Sequence, residues 1–492
     1  MPEARILQTK IFRSAMDAGI AGASSGRMAW TGLMLCLALA FVGGGGSNPA
    51  IASLLYLRPI SALLFAAALF SLTTPQIKAS RGLLILAASC LGLVALQLMP
   101  LPPAVWQGLP GREIVVANDA LAGIEGQWRP LSLDPARTSN ALFSLFLPLA
   151  VLLFATQLTP TKLARTVNLV LLGGGISGII GLLQLLGDPE GGLYFYAMTN
   201  NGAAVGLFAN RNHQALLLAA MLPMLAFWAA GITDNRTTDG EPRGWAPRAH
   251  QWLALGAALF IAPLILVTGS RAGLLLGLLG LATVPFVMAK GAARAGSGMA
   301  GPTEGSGKRT VLRIAAGLLV AGVIGLAIAF GRDEALSRLL GNTDSAAELR
   351  IAIIPVLKKM IDLYFPWGSG FGSFEAAYLI HEPDSLLGPA YVNHAHNDWL
   401  ELVITGGLPG VLLVAALVVM VILRMARVVL NWQTVTPVDR LTRLGLVVLA
   451  YIALGSLGDY PLRVPISQCL FALALVWTFP PGAPRQDLVQ GD

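Results

Sequence analysis

Apolar runs long enough to cross a bilayer follow one another along nearly the whole chain, and they leave it few ways to fold. By run length they fall at 29–46, 51–73, 82–99, 140–157, 165–187, 212–230, 251–268, 272–289, 312–330, 399–423, 441–457 and 464–480, which makes about twelve spans of bilayer length. The predicted fold is an all-α, polytopic membrane protein forming a single domain over 1–492, not a string of soluble units. Of the 492 residues 55% are hydrophobic and 12% charged, so any chemistry must come from the few polar groups between spans. Glycine clusters such as Gly173-Gly174-Gly175 predict close helix packing in lipid.

The net charge of +7 could suggest a nucleic-acid partner, but the basic residues lie in short loops between spans. That pattern sets orientation and does not imply nucleic acid. With the N-terminus in the cytoplasm, Lys78 and Arg81, Lys162 and Arg165, Arg236, Arg243 and Arg248, Lys290 to Arg313, and Arg424 to Arg443 all fall on the inner side. The outer side then receives a first loop at 100–139, shorter loops near 188–211, 269–271 and 458–463, and a large outer loop at 331–398 (periplasmic under the resemblance given below). The last is too long to be only a connector. Within it, Glu348–Tyr364 mixes apolar and basic residues at helical spacing and suits an interfacial helix that Pro355 would kink. The Gly- and Ser-rich stretch 291–308 reads as a flexible inner linker. Ala50-Ile51-Ala52 resembles a signal-peptide cleavage site, yet the basic region before it is unusually long, and a retained first span fits the topology better. Cys36, Cys90 and Cys469 all fall in apolar runs and read as small buried hydrophobes.

Three polar points meet the outer boundary: Gly206–His213 with Arg211 at the start of a span, the tight hairpin Thr268-Gly269-Ser270-Arg271, and His394-Ala395-His396-Asn397-Asp398-Trp399-Leu400-Glu401. A boundary arginine is often a snorkelling lipid anchor, but the outer side is the wrong side for positive-inside anchoring. A His-x-His pair could bind metal, although only scattered carboxylates accompany it and no cysteine completes a ligand set. His213 and His381 have no motif beyond their position and read as structural. Together the points suit anion binding with base catalysis. Guanidinium forks would hold a lipid pyrophosphate and stabilise it as a leaving group. A histidine would take a proton from an attacking hydroxyl, with Asn397 or Asp398 orienting the imidazole. No cofactor is implied.

These segments resemble the O-antigen ligase family, whose superfamily also holds O-antigen and exopolysaccharide polymerases and some bacterial protein oligosaccharyltransferases. The resemblance rests on Gly206–Asn212, Ser270-Arg271, Pro366–Phe374 and His394–Glu401, with core motifs over 200–410. Pro100-Leu101-Pro102 and Trp128–Pro135 are similar to a pattern among the exopolysaccharide-associated members. It implies a GT-C-like enzyme of the bacterial inner membrane, with its active site facing the periplasm. That enzyme would pass a glycan from an undecaprenyl-diphosphate-linked donor to lipid A core or to a growing glycan, without a metal. Position by position, His396 would be the base, with His394 secondary, and Arg211 and Arg271 the pyrophosphate ligands. Arg350 matches an arginine that precedes the Gly-rich segment. Pro355 and the Lys358-Lys359 pair depart from the family's more regular helix there.

Other classes remain open in the sequence. A transporter or flippase would place ionisable groups mid-membrane, whereas these spans are nearly free of Asp, Glu and Lys. A non-catalytic scaffold for polysaccharide assembly would need no base at all. Within the family, the ligase reading is preferred, and polymerase is the nearest alternative.

Overall fold

The computed structural model describes residues 26–48, 51–233, 247–289, 345–388, 392–431 and 436–481. Helices account for nearly all of the regular structure, because a bilayer gives backbone N–H and C=O groups no partner outside the segment itself. In chain order they are α1 (Gly26–Gly43), α2 (Leu54–Phe70), α3 (Thr74–Ala79), α4 (Arg81–Leu96), α5 (Pro103–Trp106), α6 (Glu113–Ala122), α7 (Pro135–Ser144) and α8 (Phe146–Thr156). There follow α9 (Pro160–Leu186), α10 (Arg211–Thr233), α11 (Pro247–Val267) and α12 (Arg271–Met288). The second half adds α13 (Ser345–Ala352), α14 (Ile354–Tyr364), α15 (Phe374–His381), α16 (Asp398–Leu430), α17 (Pro437–Gly455) and α18 (Pro465–Thr478). Among the described residues the one sheet is a two-residue antiparallel ladder in the first outer loop, β1 (Pro100–Leu101) with β2 (Arg129–Pro130).

Seven described helices are long and apolar enough to cross a membrane: Gly26–Gly43, Pro135–Thr156, Pro160–Leu186, Arg211–Ala230, His250–Val267, Arg271–Met288 and Asp398–Leu430. The expectation of about twelve spans is thus met only in part. The runs at 51–73, 82–99 and 464–480 became helices of 17, 16 and 14 residues, because the chain leaves the helix inside both ends of the first and third runs and at the C-terminal end of the second. The run at 441–457 lies in α17, whose first two turns carry Asp439, Arg440 and Arg443. The run at 312–330 and the 291–308 linker lie outside the described residues.

Small residues set the spacing of the bundle, as the glycine cluster predicts. A methyl group on Gly173 would stand 2.5 Å from the Phe41 ring, and one on Gly174 2.4 Å from the Met221 sulfur. Cys36 and Cys469 are buried, and Cys90 is half-buried. The two ends of the bundle differ in chemistry. At one, Lys162 donates to the Gly26 carbonyl, Arg424 to Thr478 and Thr442, and Arg443 to the Ala289 carbonyl. At the other, the Gly45 carbonyl accepts from Ala209, and the starts of α10, α12, α16 and α18 come together. The first turns of α10 and α12 run side by side, and a methyl on Gly273 would meet the Ala215 side chain at 2.3 Å.

Over Glu348–Tyr364 the chain is helical on both sides of an interruption just before Pro355. The chain breaks at Ile353, and Pro355 stands in the first turn of α14, where its missing N–H costs nothing. α14 turns Val356, Leu357, Met360 and Tyr364 into a small second core with Phe374, Tyr378 and Ile404. Lys358 and Lys359 are left exposed on the opposite face.

Candidate active site

The floor of the site is a seam of backbone. α16 is interrupted at Gly407, whose φ of 57° and ψ of −158° are not helical. A break of this kind frees carbonyls that would otherwise be bonded within the helix. Here they are taken up from outside. Ser369 N–H donates to the Ile404 carbonyl at 2.9 Å, Gly370 N–H to that of Thr405 at 3.0 Å, and the Gln97 amide also to Thr405 at 3.0 Å. In the Pro366–Phe374 segment, Gly368, Gly370 and Gly372 all have positive φ, and each lies against other backbone or Ser132. Arg112, in the first outer loop, donates to the carbonyls of Leu131 and Gly368 at 2.6 and 3.0 Å. Burial pushes its guanidinium down to about 10, which leaves it charged at neutral pH.

On this floor stands the His394–Glu401 segment. Asn397 caps α16, its side-chain oxygen accepting from the Trp399 and Leu400 N–H groups at 3.0 Å each, and its amide donates to the Leu457 carbonyl at 2.9 Å. His396, just before the cap, has a φ of 49° and is the non-glycine residue with positive φ among the described residues. Such a conformation persists only where its surroundings hold it, and strained residues of this kind cluster at functional sites. Asp398 is buried, accepting from Ser456 Oγ at 2.9 Å, Leu462 N–H at 3.1 Å and Arg463 Nε at 3.3 Å. Glu401, 1% exposed, faces Arg463 at 3.4 Å and His394 Nδ1 at 3.2 Å. Burial opposes the charge on Arg463, but Glu401 and Asp398 outweigh it and hold the group protonated more firmly than usual.

The centre of the cluster is Asp459, from the turn between α17 and α18. Its carboxylate accepts from the Asn212 amide at 2.6 Å, the Asn210 amide at 3.2 Å and the Tyr460 N–H at 2.9 Å. Around these bonds stand His396 Nδ1 at 3.7 Å, His213 Nε2 at 3.8 Å and Arg350 Nη2 at 3.9 Å. Burial works against a charge here, yet His213, His396 and Arg350 outweigh it and hold the carboxyl well below the usual range. The Tyr460 ring lies among three imidazoles, 4.5 Å from His394, 5.0 Å from His396 and 5.2 Å from His213. Burial, then the charge of Asp459, pushes its phenol up and keeps it protonated.

Of the residues singled out in the sequence, His394, His396 and Arg350 meet in this cluster. Arg211 is half-buried at its edge, beside Asn210 and Asn212, with its own N–H donating to Asn200 Oδ1 at 3.1 Å. Arg271 is exposed on the first turn of the adjoining α12, which Ser270 caps. One expectation needs correction. Neither Asn397 nor Asp398 orients the His396 ring, because the first is committed to the helix cap and the second to Ser456, Leu462 and Arg463. The carboxylate facing that ring is Asp459. His213 is also drawn in, whereas His381 bonds Tyr364 at 3.0 Å within the second core. Sequence reasoning missed Asp459, Tyr460 and Arg463 because 458–463 looks like a bare connector. The available signal was an acidic residue at a span boundary in a chain whose spans nearly lack acids. Among the described residues no three His, Cys, Asp or Glu side chains gather as a metal ligand set.

Residues 256–415, about a third of the chain, match the family model described as O-antigen ligase. The match includes Arg271, Arg350, the glycine seam and His394–Glu401, and leaves Asn210, Arg211, His213, Asp459 and Arg463 outside it. It supports an O-antigen ligase- or polymerase-like membrane enzyme of polysaccharide biosynthesis. No curated protein matches the chain.

Proposed function

We infer, for a chain whose residues 256–415 match the O-antigen ligase family model, a glycosyltransferase of the bacterial inner membrane working at the periplasmic face. It moves a glycan from undecaprenyl diphosphate onto an acceptor hydroxyl, without a metal. The observation that carries this reading is His396, held in a left-handed backbone with Nδ1 turned to a buried, ionised Asp459 at 3.7 Å. A carboxylate on one ring nitrogen keeps the proton there and leaves the other nitrogen free to accept. The 3.7 Å gap exceeds a hydrogen bond, and such contacts commonly tighten when substrate binds. The hydroxyl proton passes to His396 Nε2 as the oxygen attacks the anomeric carbon. The bond from that carbon to the phosphate oxygen breaks, and undecaprenyl diphosphate leaves with the electron pair. Arg211, Arg271 and Arg350 hold that diphosphate and stabilise its growing charge. His394, tied to Glu401, supports the loop.

The ligase reading, with lipid A core as acceptor, comes first. Polymerase is the second reading, and one contact favours it: Leu133, in the loop similar to exopolysaccharide-associated members, donates its N–H to the Ser369 carbonyl at 2.9 Å. That loop therefore borders the site. The test is transfer from purified lipid-linked glycan, with EDTA present, to lipid A core or to a second repeat unit. His396→Ala is expected to insert normally and lose about 10²–10⁴-fold in rate. Wild-type turnover by this variant would remove the base, and loss of wild-type activity in EDTA would restore the metal reading.

A further inference from the structure

His213 is 2% exposed, and neither ring nitrogen has a hydrogen-bond partner. Burying an imidazole this way is unfavourable, and a leucine or phenylalanine would fill the same space without stranding polar atoms. The ring is not free to turn elsewhere, since Phe208 and Tyr460 pack edge-on against it, at 6.2 and 5.2 Å between centroids. So held, it points Nε2 at Asp459 Oδ1 from 3.8 Å. That is the same oxygen that His396 Nδ1 faces from 3.7 Å. Two imidazoles, one from the first turn of α10 and one from the loop before α16, thus converge on one carboxylate oxygen, while Asn210 and Asn212 occupy the other.

We propose that His213 is a positioning residue that acts on the base through Asp459, its Nε2–H and the Nδ1–H of His396 sharing Oδ1. The inference rests on the reading of His396 as the base and adds a group that sets its strength. With both donors in place, Asp459 divides its hold between the two rings. Without His213 the carboxylate is less satisfied, grips the His396 imidazolium more tightly, and raises the pH at which the base becomes free. Other charged and titratable groups also face the pair. Arg350 and the Tyr460 N–H also face Asp459, and His394, His396 and Arg350 also face His213.

The experiment compares kcat against pH, with purified lipid-linked glycan as donor, for the wild type, His213→Gln and His213→Asn. Glutamine reaches Oδ1 with an amide N–H, and asparagine is one methylene short. In His213→Asn the acid limb is expected to move to higher pH by about half a unit or more, with kcat at pH 7 down several-fold and donor KM within about twofold. His213→Gln should keep the wild-type limb. An unshifted limb in His213→Asn, or an equal shift in both variants, overturns the proposal, because a packing role would not distinguish them in this way. His213→Ser, also too short, gives the same reading should His213→Asn accumulate poorly. Failure of the base reading looks different: His396→Ala would then retain the wild-type rate and limb.

Discussion

At the scale of single residues, the site is organised around a carboxylate rather than around the histidine that the sequence advertises. Asp459 accepts three hydrogen bonds and faces three further basic groups, so its folded carboxyl is held below the ordinary value. A depressed carboxyl adds stability above the unfolded-state value, about 3.9 for aspartate, and loses it as pH falls through the folded value. Thermal unfolding in detergent should therefore show the wild type above Asp459→Asn by a constant margin from about pH 5 upward. That margin should narrow as pH drops below about 4; a margin that widens there would contradict the sign. The arginines carry a separate prediction. Arg271→Ala should slow transfer strongly, and Arg271→Lys should restore little, because an ammonium lacks the bidentate fork. Full activity in Arg271→Ala would leave that residue a lipid anchor. Arg211, His394 and His396 were legible because they sit in dense motifs. Asp459 was not, because its partners Asn210, His213 and Arg350 are far away in the chain, Asn210 by 249 positions, and only the fold brings them together.

At the scale of elements, the decisive piece is the interrupted helix α16. Its first turns belong to the site and the remainder to the span, and the Gly368–Gly372 backbone closes the break between them. Gly368, at a φ of 80°, leaves no room for a side chain, since a methyl there would stand 2.6 Å from the Thr405 carbonyl. Gly368→Ala should cost about 2 kcal/mol or more in stability, combining a strained backbone with loss of the seam. An unchanged Tm would show that the seam adapts. The sequence marked this segment by its glycines, but not what they pack against: the partners Gln97 and Ser132 come from the far side of the chain. Residues 348–364 were better marked, because Pro355 announces an interruption there. Their spacing is helical throughout, and the break at Ile353 follows from Pro355 preferring a first turn to an interior one.

At the scale of the molecule, a basic end and a site end face opposite ways along one bundle. Reporter fusions at Gly388 and Asn431 are expected to report opposite sides of the membrane, outside and inside, because α16 lies between them. The same side for both would undo the orientation on which the proposed periplasmic site depends. The apolar runs made the helical class plain from the sequence. Their number was harder to read, because run length does not reveal where turns trim a helix. There is also a consequence in time. His396 is made well before Asp459, which follows α17, and the loop that bears Asp459 is pinned by α18 packing behind it. A chain emerging from the ribosome inserts from its N-terminus onward. The half-built protein thus carries an imidazole without its carboxylate, and the centre closes only when α17 and α18 are in place.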